Sequence, residues 1–431
     1  LARTPQQMAL LQKAGVVDAG AQGFVHLLEG ASDFVAHGRQ LVAPTAVGNG
    51  GEHGVVAPPD EAEARHRWCT ECVLSAPAIE RADVHAALAA IDGSSRVIAG
   101  TREKLRVHMH VDDPAMLFDT LARFGDVRAR KADDMQAQQR AAHGRGGVAI
   151  VIDSAADLPA AALERLPLHV VPVRVTVGAD DYLDKVSLSA GAFHELVRTT
   201  TAVVRTSQPP PGDFRRLFEF LLSHHAEVVY VGLSRALSGT LQAGESAAAP
   251  LGGRIRVVDT ANVSGGEGLL AMHAAERAAA GVDAATIVAE VEALRASTAT
   301  FAFVRDLSAA VRGGRIPPWA LTITRWLRLV PIARIGGGDG RLHVRGVMFD
   351  GADIATRFAS RVGATLDPAR RWRAQVMHCD NPAEGQRVRA ALQACVAGID
   401  CGEVLDAGSA IAAHAGAGAV AVSVMPAVPA P

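Results

Sequence analysis

The sequence of 431 residues predicts an α/β fold: a parallel α/β sheet plus a second α/β subdomain, preceded by a small α+β domain. Two observations lead there. Apolar runs at 148–152, 228–233 and 254–258 each end in polar residues: Asp153-Ser154, Ser234 and Asp259-Thr260. Stretches of helical length, 211–223 and 268–280, separate them. Continuous apolar strands alternating with helices are the mark of a parallel sheet. In such sheets ligands sit at the carboxyl ends of the strands, where these polar residues fall.

Taken in order, Thr4-Pro5 opens a helix that Gly15 closes, and an apolar stretch runs on to Leu28. Residues 31–66 lack periodicity, are rich in Gly, Pro and Ala, and read as a linker. Residues 67–142 read as the α+β unit. Its strands at 96–99 and 105–111 flank the turn Gly100-Thr101, with helices at 79–91 and 114–124. Residues 136–145 read as a polar connection. The parallel sheet occupies 146–299, and strands at 300–304, 329–335, 341–345 and 373–378 assign 300–425 to the second subdomain. Gly336 to Gly340 reads as a hairpin turn, because it lacks the Lys-Ser/Thr of a phosphate loop and precedes a strand.

Bulk properties exclude several classes. The net charge of −2 and the lack of a long basic run call for neither nucleic acid nor a membrane surface. An odd number of cysteines, five, scattered in a chain without a signal peptide, points to a reducing, cytoplasmic setting. Residues 407–425 carry no formal charge apart from His414, yet they are Ala/Gly-rich and poor in Leu and Ile. A turn followed by a buried strand at 419–424 fits them better than a transmembrane segment.

Three segments carry the strongest chemical signal: Thr206-Ser207-Gln208-Pro209, Leu237-Ser238-Gly239-Thr240 and His414-Ala415-Gly416-Ala417-Gly418. Each sets hydroxyls or an imidazole near glycine, proline or a tight turn beside a buried strand. Hydroxyls, exposed N–H groups and a helix N-terminus suit an anionic head such as a carboxylate. A serine nucleophile, Ser238 or Ser207 with His414 as base, is the competing reading, although no Gly-x-Ser-x-Gly elbow is present.

A second signal is Cys69 with His108-Met109-His110. Side chains two apart on a strand share a face, so both imidazoles reach one ion, and Cys plus two His suits Zn²⁺. Two half-exposed strand histidines and a buried thiol are the plain alternative. Cys72 completes a Cys-x-x-Cys after Trp68, but the following Val73-Leu74-Ser75 does not open a helix as a redox pair requires. Cys72 therefore reads first as core, and otherwise as a fourth ligand.

With these pieces in order, 148–425 resembles the DegV family of fatty-acid-binding proteins. The matching residues are Asp153-Ser154-Ala155-Ala156-Asp157-Leu158, Thr206 to Pro209, Ser234 to Thr240, Asp259-Thr260, Gly313-Gly314-Arg315 and His414 to Gly418. The resemblance implies a long-chain fatty acid buried in a tunnel. It places the carboxylate at Thr206, Ser207, Ser238, Gly239, Thr240 and His414. Trp68-Cys69-Thr70-Glu71 and Val107-His108-Met109-His110 resemble the middle domain of fatty acid kinase. That likeness implies a structural zinc on Cys69, His108 and His110.

Gly15 to Phe24 resembles the last segment of the kinase's ATP domain, making 1–30 a remnant with Asp18, Ala19 and Gly20 as a nucleotide-binding vestige. Read so, the chain is a kinase–carrier fusion missing most of the kinase. The lipid-binding part is non-catalytic by itself, and the ATP domain acts on it in cis or in trans. A zinc-rigidified structural module without lipid function is the remaining alternative.

Overall fold

A computed structural model of the chain describes residues 65–143, 147–305, 307–308, 311, 327 and 329–428, with Phe24, Val25 and Leu28. The expected first helix, the nucleotide vestige Asp18 to Gly20, the linker up to residue 64 and Gly313-Gly314-Arg315 lie outside the described residues.

The first described sheet contains β1 (Trp68–Ser75), β2 (Gly93–Gly100), β3 (Lys104–Val111) and β4 (Asp126–Asp134), all antiparallel, in the order β2-β3-β1-β4. Helices α1 (Arg81–Ala89) and α2 (Pro114–Ala122) bury one face of it with Leu74, Val107, Met109, Leu117 and Phe118. Asp113 starts α2 by accepting from the N–H groups of Ala115 and Met116 at 2.9 and 3.2 Å, and Pro114 fits the first turn. The segment expected as a polar connection is instead α3 (Met135–His143). The Asp134 carboxylate accepts from Ala137 N at 2.9 Å, and Ala, Gln and Arg are strong helix formers. A polar composition had masked a capped helix.

The chain continues through β5 (Val148–Asp153), α4 (Ala160–Arg165), β6 (Leu168–Val171), β7 (Arg174–Val177), β8 (Asp180–Leu183), α5 (Ala190–Thr199), β9 (Val204–Ser207), α6 (Pro211–Leu222), β10 (Glu227–Gly232), α7 (Thr240–Ala248), β11 (Ile255–Asp259), α8 (Gly265–Ala279) and α9 (Ala284–Arg295). Then come β12 (Ala299–Phe303), β13 (Leu329–Gly336), β14 (His343–Phe349), α10 (Ile354–Gly363), β15 (Trp372–His378), α11 (Pro382–Cys395), β16 (Ile399–Asp406), α12 (Ser409–Ala415) and β17 (Val420–Pro426).

β11-β10-β5-β6 form the parallel sheet, and every residue of β5 is buried, as a strand covered on both faces requires. β8-β7-β9 form a small antiparallel sheet. The second subdomain is a six-stranded sheet, β14-β13-β12-β17-β15-β16, antiparallel except for the β15–β16 pair. The hairpin expected around Gly336 to Gly340 joins β13 and β14.

Helix α8 sits between the two large sheets, touching β5 and β10 on one side and β15 and β17 on the other. Such a helix must be apolar nearly all round and thin where backbones approach. Its first turns meet that need: a Cβ at Gly268 would strike the Asp157 carbonyl. Helix α12 reaches out of the second subdomain and packs on α5, β7 and β9 of the first. Among the described residues, no helix is long and apolar enough to cross a membrane.

Candidate functional site

Thr206 lies near the end of β9, opposite Val175 of β7, and His414 lies in the last turn of α12. Their side chains meet: Thr206 Oγ1 and His414 Nε2 are 2.7 Å apart, across 208 residues of chain. Both are partly buried. Gly416, with φ of 79°, closes α12 just after the imidazole, and its N–H returns to the Ala412 carbonyl. The positive φ there is one that glycine adopts without strain.

A second pair of hydroxyls comes from the start of α7. Ser238 Oγ is 2.9 Å from Thr240 Oγ1 and accepts from Thr240 N at 3.2 Å. Gly239 faces the Gln208 carboxamide, which a Cβ there would displace. Thus the segment at the end of β9 touches both other segments, Thr206 to His414 and Gln208 to Gly239. Ser207 is exposed at the strand end. Gln208 is a contact that sequence reasoning quoted but did not count among the site residues.

This arrangement disfavours a serine nucleophile. The imidazole of His414 is taken up by Thr206, and the Ser238 hydroxyl pairs with Thr240. An activating base must lie within hydrogen-bond reach of the nucleophile.

At the carboxyl ends of the parallel strands lies a buried acidic group. Asp153 accepts from Tyr230 Oη at 2.8 Å, Leu233 N at 3.0 Å and Ala155 N at 3.1 Å. Glu267, in the first turn of α8, is fully buried, and among the described residues neither of its oxygens has a partner of hydrogen-bonding geometry. Burial pushes Glu267 well above the usual carboxylate range, and the neighbouring Asp153 charge adds to the shift. A cavity of about 600 Å³ opens between β4, α3 and this strand end, with Lys131, Arg140, Ile152, Asp184, Lys185 and Gly408 in its wall. None of the six expected head-group residues lines it.

The second candidate site lies on the outer face of the first sheet. Register sets Cys69 opposite His110 and Glu71 opposite His108, so all four side chains share that face. Cys69, His108 and His110 bring one ligand atom each within 4.8 Å of one another. Cys69 Sγ is 3.9 Å from His108 Nδ1, and the two imidazoles stand edge to face with centroids 5.1 Å apart. Burial pushes the Cys69 thiol up to about 11, and Asp133 adds to this. The Glu71 carboxylate lies 3.4 Å from His108 Nδ1. Cys72 points the other way, 1% exposed within the core, which settles against it as a ligand or a redox partner of Cys69. Glu71 was within the quoted motif, but its part shows only once β1 is placed beside β3.

Residues 147–427 match the family model described as "Uncharacterised protein, DegV family". The chain belongs to the DegV family. Residues 65–142, ahead of the DegV region, match the model of the FakA-like middle domain of fatty acid kinase. A DegV domain-containing protein of Deinococcus radiodurans is 33% identical over 292 residues, 65% of this chain and 98% of that protein. One from Staphylococcus aureus is 30% identical over 195 residues, 45% of this chain and 69% of that protein.

Among solved structures, a DegV family protein from Thermus thermophilus, described by its fatty acid binding, aligns with a TM-score of 0.61 at 28% identity. The alignment covers 65% of this chain and all of that one (100%). DegV from Bacillus subtilis, a fatty acid binding protein, shares the fold with a TM-score of 0.58 at 24% identity, over 65% of this chain and 99% of that one.

Proposed function

We propose that the DegV region carries one long-chain fatty acid and presents its carboxylate to a fatty acid kinase ATP domain, in cis or in trans. The observation that carries this reading is the Thr206–His414 contact, with Gln208 against Gly239 beside it. It gathers hydroxyls, an imidazole and a helix N-terminus where an anionic head would lie. The Thermus thermophilus relative supports the ligand class. Burying the acyl chain contributes roughly 0.8 kcal/mol per CH₂, so the tail supplies affinity and Thr206, Ser207, Ser238, Gly239, Thr240 and His414 orient the head.

In the phosphorylation itself, a carboxylate oxygen attacks the terminal phosphorus of ATP, ADP leaves, and an acyl phosphate results. The DegV residues position the nucleophilic oxygen; the phosphates and their metal belong to the ATP domain. The kinase link rests on the match of residues 65–142.

In that middle region, Cys69, His108 and His110 would hold a structural Zn²⁺, since one thiol and two imidazoles within 4.8 Å are a donor set that this ion favours. Glu71, which approaches the same His108 nitrogen that faces Cys69, would help to orient that imidazole beside the ion.

Native mass spectrometry of the purified chain tests both halves. The expected result is a co-purified fatty acid on the folded protein together with about one zinc per chain. A protein that carries no lipid, and takes none when offered, would overturn the carrier reading.

A further inference from the structure

The head-group pair joins two elements from distant parts of the chain, and something must set their separation. Helix α12 spans only seven residues, about 10 Å of rise, too short to be stable by itself. Its N-terminal end is fastened by two buried carboxylates of the first subdomain. Asp184, 1% exposed, accepts from Ser409 Oγ at 2.6 Å and from Ala410 N at 3.1 Å. Asp157, 2% exposed, accepts from Gly408 N at 3.0 Å and from Ser264 Oγ at 2.6 Å. The Lys185 ammonium donates to Asp157 at 2.6 Å and supplies the local countercharge.

The same group reaches the other partner. Ser154 Oγ donates to Asp184 at 2.7 Å and accepts from Val173 N at 2.9 Å, while Asp184 N donates to the Val173 carbonyl at 3.0 Å. Val173 leads directly into β7, which pairs with β9 and places Val175 opposite Thr206. One buried carboxylate therefore anchors the helix that bears His414 and the strand that positions Thr206.

We propose that Asp184, supported by Asp157, is a positioning residue of the head-group site: it fixes the distance between His414 and Thr206 and thereby the grip on the carboxylate. This rests on the carrier reading and deepens it. Charge-assisted bonds in a buried setting are strong and geometrically strict, which suits a gauge between two subdomains. The Asn variant would turn N–H donors toward groups that themselves donate, so the spacing would relax without emptying the site.

The test compares palmitic acid with hexadecanol on the full chain, because the two share a tail and differ in the head. In Asp184→Asn, palmitic acid affinity should fall about tenfold while hexadecanol affinity holds within about twofold. Equal weakening of both ligands, or no change in either, would overturn the proposal. If Asp184→Asn does not fold, Ser409→Ala decides, because it removes a single bond to Asp184; it should weaken the acid alone, by about threefold. His414→Ala separates the two levels of the argument. If it leaves the preference for the acid over the alcohol intact, the head-group reading itself fails. If it abolishes that preference while Asp184→Asn does not touch it, only the positioning role fails.

Discussion

The two candidate sites are built in opposite ways. The Cys69–His108–His110 face is made by two neighbouring strands, and its members are register partners or lie two residues apart. The proposed head-group site joins β9, the start of α7 and the last turn of α12, and its central contact spans 208 residues. A face made by one strand pair is fixed as soon as that pair forms. A site assembled from three distant segments is fixed only by the packing of whole subdomains, and it inherits every shift between them. The first kind tolerates changes elsewhere in the fold; the second depends on how those subdomains pack.

That contrast can be broken most sharply from the metal side. His108→Ala should take zinc from about one per chain to none, read by metal analysis, and leave fatty acid affinity unchanged. Loss of lipid binding in this variant would show that the two sites are coupled. The reverse experiment is Thr206→Val, which removes the hydroxyl facing His414 and should weaken fatty acid binding about fivefold to tenfold in titration calorimetry, with zinc content intact. An unchanged affinity would mean that the contact does not reach the head group.

The smallest expected effect concerns Glu267, which belongs to the DegV region and has no counterpart in the metal face. Its folded value is raised above the ordinary 4.5. A raised carboxyl binds its proton more tightly when folded, so its stabilising effect is complete below the ordinary value and is lost as pH rises toward the folded one. Within that window ionisation favours the unfolded chain, a loss that Glu267→Gln does not suffer. The melting temperature of the variant relative to wild type should therefore climb as pH rises above 4.5, with the gap closing below it. A gap that is independent of pH would assign the effect to packing instead.

The parallel strands were legible because apolar runs such as 148–152 permit few other readings, and the histidine face because a strand alternates with period two. The small sheet β8-β7-β9 was missed, although Val173, Val175 and Val177 alternate with Arg174 and Thr176 in the manner of a half-buried strand. β1 is overlaid in the sequence by the Cys-x-x-Cys spacing, although it alternates: Cys69 and Glu71 face out while Thr70, Cys72 and Leu74 face in. Residues 136–145 read as a connection by their polar composition, whereas the cap that starts the helix, Asp134, lies just outside that range.

By itself, the sequence determined the layer architecture, the two histidines on one face, and the polar residues at the carboxyl ends of the parallel strands. These follow from local periodicity and local chemistry, which each segment carries with it. Only the tertiary structure decided that His414 meets Thr206, that Glu71 stands beside His108, and that Asp184 holds both α12 and the approach to β7. Such contacts are set by how sheets and helices pack across hundreds of residues, and no local pattern encodes the distance between two segments that come together only when the subdomains close on each other.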